Sequence, residues 1–168
     1  MPRIDYPECG RIVNTHGCRG AVKVEPWCDS PEVFAALPAV YMKQGEGYRR
    51  VALGKTSVFN RFVFAELEGV NSMEAADLLR NTVLYARRED LGLPEGTLLV
   101  AEIIGMSAMN ATTGEALGVV RDVIHPGATD IYVIDTPRGE AMVPAVPAFV
   151  QSLDESGLYL TPIEGMFP

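Results

Sequence analysis

The sequence is poor in the residues on which many enzymes, secreted proteins and membrane proteins depend. It holds 3 cysteines, 2 histidines and 1 tryptophan in 168 residues. Cys9, Cys18 and Cys28 all fall in the first quarter. An odd thiol count with no secretory signal reads as free cysteines, not a disulfide framework. No run approaches the roughly 20 apolar residues that cross a bilayer. Met1-Pro2-Arg3-Ile4-Asp5-Tyr6 also has no apolar signal-peptide segment. The expected location is therefore cytoplasmic, with no membrane partner. Disorder is excluded as well, because a chain that is 48% hydrophobic and 21% charged can bury a core.

Basic residues are scarce in one half only. Residues 1–97 carry 12 Lys and Arg against 13 Asp and Glu, but residues 98–168 carry only Arg121 and Arg138 against nine acids. The second half, at −7, should repel phosphate backbones and suit a basic partner. General solubility explains the same surplus, so charge alone does not name the partner.

What is present is β structure punctuated by glycine. Residues 10–15 read as a strand ending at His16-Gly17, and residues 20–25 alternate apolar and charged positions with the period of a half-buried strand. Asp29-Ser30-Pro31-Glu32 predicts a short helix over 32–37. Strands follow at 39–43, 48–53 and 61–67. A helix begins at Asn71-Ser72-Met73-Glu74 and runs to Arg80, with Ala75, Ala76, Leu78 and Leu79 inward. Residues 83–86 return to strand.

Residues 89–97, rich in charge, Gly and Pro, form the expected linker between domains at 1–88 and 98–168. The second domain shows strands at 116–124, 130–135, 141–143 and 158–160, with an interruption at Gly118 and an irregular stretch over 144–150. The expected fold is mainly β: two small antiparallel β-barrels in tandem.

Catalytic patterns do not hold together. Gly54-Lys55-Thr56 has the tripeptide of a phosphate loop, but Gly47 lies too far upstream and Ser57-Val58-Phe59 leads into strand pattern, not a helix N-terminus. Cys9, His16, Cys18 and Cys28 are soft donors without the paired C-x-x-C spacing of a zinc site. A small metal-binding or thiol enzyme using His16 and Cys18 stands as the alternative reading. Against it, His16 reads as a turn residue bonded to nearby backbone. No cofactor is expected.

The first half does interleave cations with rings. Arg3, Arg11, Arg19 and Lys23 lie along the first hairpin, with Arg49, Arg50, Lys55 and Arg61 beyond and Tyr48, Phe59, Phe62 and Phe64 among them. Such a face could follow a nucleic-acid backbone while bases stack on exposed rings. Equally, Phe62 and Phe64 could be core, since alternation does not say which ring meets solvent.

Gly10-Arg11-Ile12-Val13-Asn14-Thr15-His16-Gly17-Cys18-Arg19-Gly20, with its alternating strand behind it, resembles the N-terminal signature of the RimM family. Cys18 stands where an aliphatic residue is usual. Glu66-Leu67-Glu68-Gly69-Val70 and Ala75-Ala76-Asp77-Leu78-Leu79-Arg80 resemble the segment that closes the family's first barrel. Gly114-Glu115-Ala116-Leu117-Gly118-Val119-Val120-Arg121-Asp122-Val123 and Gly127-Ala128-Thr129-Asp130-Ile131-Tyr132-Val133-Ile134 look like the opening of a PRC-barrel, which Val143-Pro144-Ala145-Val146 and Glu164-Gly165-Met166-Phe167 complete.

The resemblance implies a translation-factor-like first barrel, a PRC-barrel second, and a non-catalytic assembly chaperone. Its implied partners are the precursor small ribosomal subunit, ribosomal protein S19 in the head of that subunit, and 16S rRNA, met as a monomer. The adjacent aromatics common before the family's second barrel are replaced here by Leu98-Leu99-Val100. Leu98, Leu99, Asp122, Asp130 and Tyr132 are the expected protein contacts. Arg11, His16, Arg19 and Lys23 are the expected rRNA contacts.

Overall fold

The computed structural model describes residues 3–168. Two compact units are present, Ile4–Leu93 and a second that takes in Pro94–Pro168. Each has its own core, with no residue in common. The fold is mainly β, with two β-sheet domains.

The first unit contains β1 (Glu8–His16), β2 (Ala21–Pro26), α1 (Pro31–Ala35), β3 (Ala39–Gln44), β4 (Gly47–Phe59), β5 (Phe62–Leu67), α2 (Met73–Asp77) and β6 (Val83–Tyr85). The strands close a barrel in the order β1-β2-β5-β4-β3-β6. Ile12, Val22, Val24, Val40, Val51, Val63 and Leu84 fill the interior. The period-two pattern decides this on β2 and β5, where buried and less buried residues alternate, whereas on β3 residues 39–42 are buried throughout. Full burial of each such side chain stabilises the barrel by roughly 1.5–3 kcal/mol.

Gly20 is fixed by two constraints. Its φ is +102°, and a Cβ there would lie 2.4 Å from the Val70 carbonyl oxygen. Only glycine lets the β1–β2 turn lie against the segment after β5.

Both helices start as the sequence predicts. Ser30 Oγ accepts from Val33 N–H with Pro31 at the first helical position, and Ser72 Oγ accepts from Ala75 N–H. Their ends differ. α1 stops at Ala35, and α2 stops at Asp77, not Arg80. The chain then tightens into turns, such as Leu79 N–H to Ala76 carbonyl, so Leu78 points into solvent at 86% exposure instead of inward.

β4 also runs six residues beyond the predicted end, through a bulge between Leu53 and Thr56. Gly54-Lys55-Thr56 is thus mid-strand, with Thr56 Oγ1 donating to the Ala35 carbonyl. A 3-10 helix, Arg88–Leu91, overlaps the start of the stretch read as linker.

The second unit contains α3 (Val100–Ile103), β7 (Ser107–Asn110), β8 (Ala116–Ile124), β9 (Ile131–Thr136), β10 (Gly139–Pro144), β11 (Val150–Asp154) and β12 (Gly157–Leu160). They form one six-stranded sheet ordered β10-β9-β8-β7-β12-β11. The all-antiparallel expectation is corrected here. β12 pairs parallel to β7, because the chain crosses from β10 through residues 145–149 and enters beside β7 on the return leg of the β11–β12 hairpin. β11 was not predicted.

Gly118 sits next to an extra residue in β8, where the register with β7 slips, and a Cβ on it would lie 2.2 Å from the Asp135 carbonyl oxygen. Among the described residues, no helix is long and apolar enough to cross a membrane.

Candidate nucleic-acid and protein interfaces

The outer face of the first barrel carries aromatic rings. On β5, Val63 and Ala65 are buried, so alternation turns Phe62 and Phe64 outward. Neither belongs to the core. Phe64 pairs in register with Lys23 on β2 and Ser57 on β4, which places them in one row across three strands. His16, at the end of β1, lays its imidazole on Phe64 with centroids 3.8 Å apart and planes 16° apart. The ring is stacked, in place of the turn-and-backbone role read from sequence. Phe59 lies 6.4 Å from Phe64 and is 62% exposed. Lys23 Nζ sits 4.1 Å from the Phe62 centroid, and Arg61 Cζ sits 5.1 Å from it.

Of the four rRNA candidates, the structure therefore brings His16 and Lys23 to one aromatic face. Arg19 is exposed in the turn between β1 and β2. Arg11 is farther along β1, opposite Glu25 and Val83, with its Nε buried and without a hydrogen-bond partner.

The thiols do not join this face as a reactive group. Cys9 is buried, and burial, then the Cys28 thiol beside it, pushes its pKa up. Burial, then the charge of Asp29, raises Cys28 to about 11. Its Sγ lies 3.5 Å from the Cys9 carbonyl oxygen, to which it donates. Cys18 is exposed. Among the described residues, no three His, Cys, Asp or Glu side chains converge as a metal site.

In the second unit, register separates residues the sequence had grouped. Asp122 pairs with Val133, which pairs with Met142, in one row. Tyr132 belongs to the next row, Val123–Tyr132–Val143, which faces the core. Tyr132 is buried at 7% exposure, so as an expected surface contact it is corrected to a core residue, on the opposite face from Asp122. Burial and then the Asp130 charge raise its pKa. Asp130 Oδ1 lies 2.6 Å from His125 Nδ1, and Asp122 Oδ1 accepts from Val123 N–H.

Arg121 pairs with both Asp135 and Glu140. One of the two arginines of this half is thus neutralised within its own sheet. Leu98 packs on the second core, Leu99 is half-buried at the start of α3, and Glu102 Oε1 accepts from Leu99 N–H. The large apolar residues this unit exposes are Val100, Val119, Met142 and Ile163, at 40%, 46%, 52% and 56%. Sequence reasoning missed Val119 and Met142, since a strand's outer apolar residues look like any others.

Residues 8–91 match the RimM N-terminal domain and residues 100–165 match the RimM PRC barrel domain. A "Ribosome maturation factor RimM" of Clostridioides difficile is 33% identical over 98% of this chain and 97% of its own length. One from Clostridium tetani is 34% identical over 89% of this chain and 88% of its own. Another, from Acetivibrio thermocellus, is 32% identical over the same shares. With both domains matched in order and relatives aligned nearly end to end, the chain belongs to the RimM family.

Proposed function

We propose that the chain is a ribosome maturation factor that binds the immature small ribosomal subunit, promotes its late assembly and 16S rRNA processing, and makes or breaks no covalent bond itself. The observation that carries this is the alignment of both family domains, in order, with relatives that bear the name of ribosome maturation factor. It acts as a chaperone: a transient conformation of the subunit is bound more tightly than the mature one, so that conformation is populated and then released. The proposed setting is the cytoplasm, with the protein acting as a monomer.

The finer division of labour follows charge. The second unit, with Arg121 spent on Asp135 and Glu140, offers Asp122 and Asp130 to a cationic protein, for which ribosomal protein S19 in the subunit head is the proposed partner. Apolar contact would come from Val100 with the exposed part of Leu98 and Leu99. The first unit, with Arg11, Arg19, Lys23 and His16, meets neighbouring rRNA.

The direct test is capture of ribosomal particles by tagged full-length protein at low salt. Enrichment of immature over mature small subunits is expected, and equal or no recovery of the two would sink the proposal. Binding to purified S19, weakened by added salt, tests the partner separately.

A further inference from the structure

We propose that the outer face of the β1–β2–β5–β4 sheet is a site for unpaired RNA, in which a nucleobase stacks on the Phe59 ring and Lys23 and Arg61 hold the flanking phosphates. This rests on the maturation-factor reading and adds the form of RNA that the first unit takes.

Three phenylalanines lie on the outside of a barrel whose interior is already filled by Ile12, Val22, Val24 and Val63. Phe59 leaves 62% of its surface in water at the end of β4. Phe62 is its cross-strand partner, and together with Asn60 and Arg61 they form the hairpin tip. Asn60 takes a positive φ of 55°, as a tight two-residue turn requires, and the pairing across it puts both side chains on the same face of the sheet.

Phe64 is fixed on one side by the His16 imidazole at 3.8 Å. Lys23 and Arg61 rest against Phe62 at 4.1 and 5.1 Å, and among the described residues neither has a carboxylate partner. These cations are held in place by ring faces yet keep their charge available.

Flat rings and unpaired cations at this spacing match the two repeating features of a single strand, its base faces and its phosphates. A duplex offers phosphates but hides its base faces, so it matches only half of the site. An acidic peptide could use the cations but has no need of a ring left open at the tip. Two carboxylates share the face: Glu25, which already accepts the Trp27 indole N–H at 2.9 Å, and Glu66, two residues beyond Phe64 on β5. They border the site, and the strand path that avoids Glu66 runs over the tip at Phe59 and Phe62.

The test uses the full-length protein and a labelled oligouridine of 12 nucleotides, read by fluorescence anisotropy. Phe59→Ala should weaken binding about tenfold, a typical loss for one stacked base, while Phe59→Trp should bind at least as well as the parent. Replacing Lys23 and Arg61 together by Ala should flatten the log–log salt slope by about 1.4, at about 0.7 per phosphate on a single strand. A duplex of equal length should bind more weakly.

Equal binding of the parent and Phe59→Ala would overturn the inference, as would a duplex that competes as well as the single strand, or a parent that ignores the oligonucleotide. A photo-crosslinker at position 59 that labels ribosomal protein in place of RNA would also overturn it. Capture of immature subunits is measured beside these. If the parent still enriches them, only this site has failed; if it does not, the maturation reading has failed with it.

Discussion

Side chains of one type do different work in this chain, and the three thiols show it most plainly. Cys18 is exposed, Cys9 is buried and Cys28 is half-buried, with its Sγ turned to the Cys9 carbonyl. Because the thiolate is the reactive form, exposure and pKa together decide the order of reaction. At pH 8 iodoacetamide should label Cys18 first, leaving Cys9 and Cys28 to react only when the first unit unfolds; peptide mass spectrometry after a short pulse checks this. Equal labelling of all three would contradict the burial. Cys28 also couples pH to stability. Its folded pKa of about 11 exceeds the ordinary 9.0, so the folded state holds that proton more tightly than the unfolded chain does. The stabilisation is complete below pH 9 and is lost as pH rises toward 11. The urea midpoint, followed by the fluorescence of Trp27, should therefore fall over this window, and Cys28→Ala should make the fall shallower.

Elements in this chain are short, so their ends weigh as heavily as their middles. α2 has five residues, too few to be stable without a cap and packing. Ser72 Oγ takes the Ala75 N–H, and Ser72→Ala should remove about 1 kcal/mol of stability from the first unit, with Ser72→Asp retaining most of it. Denaturant midpoints of the three proteins decide the point. Gly118 has the opposite problem, with no room at all: Gly118→Ala forces a methyl to within 2.2 Å of the Asp135 carbonyl, and β8 must part from β9. A loss of about 2 kcal/mol or more in the second unit is expected.

Such starts and close approaches were legible in the sequence. Ser30-Pro31 and Ser72-Met73-Glu74 predicted where helices begin, the alternating run at 20–25 predicted β2, and the strands read at 10–15, 39–43, 61–67 and 116–124 fall on β1, β3, β5 and β8. The failures have a common origin. β11 buries only part of two side chains, so it carries little alternation, and β4 outlasts its apolar pattern because its far end is a hairpin arm with exposed residues. The parallel β7–β12 pair depends on a contact between distant segments that no local pattern encodes. At the candidate sites, the sequence supplied the residue types but not their faces. One step of register puts Tyr132 in the core and Asp122 outside, and only the fold shows His16 lying on Phe64.

Across the whole molecule, net charge sets up a contradiction that yields a test. A chain of net charge −8 is proposed to bind a particle dense in phosphate. Long-range electrostatics alone would oppose that association, and any loss of acid should then improve it. Docking through Asp122 and Asp130 on a cationic protein predicts the reverse, since each carboxylate removed loses a favourable contact. The double variant Asp122→Asn with Asp130→Asn sets the two against each other. The amide oxygen at position 122 can still accept from Val123 N–H, so the local backbone keeps its partner while the charge becomes less negative by two. If the acidic face docks protein, the variant should co-sediment with immature small subunits at least about fivefold less well, a loss of roughly 1 kcal/mol. The deficit should shrink as salt rises, because the lost contacts are themselves screened. If bulk repulsion dominates, the same variant should bind more tightly than the parent at low salt. The two outcomes differ in sign, so a single titration at two salt concentrations separates a specific acidic dock from a surface that is merely soluble.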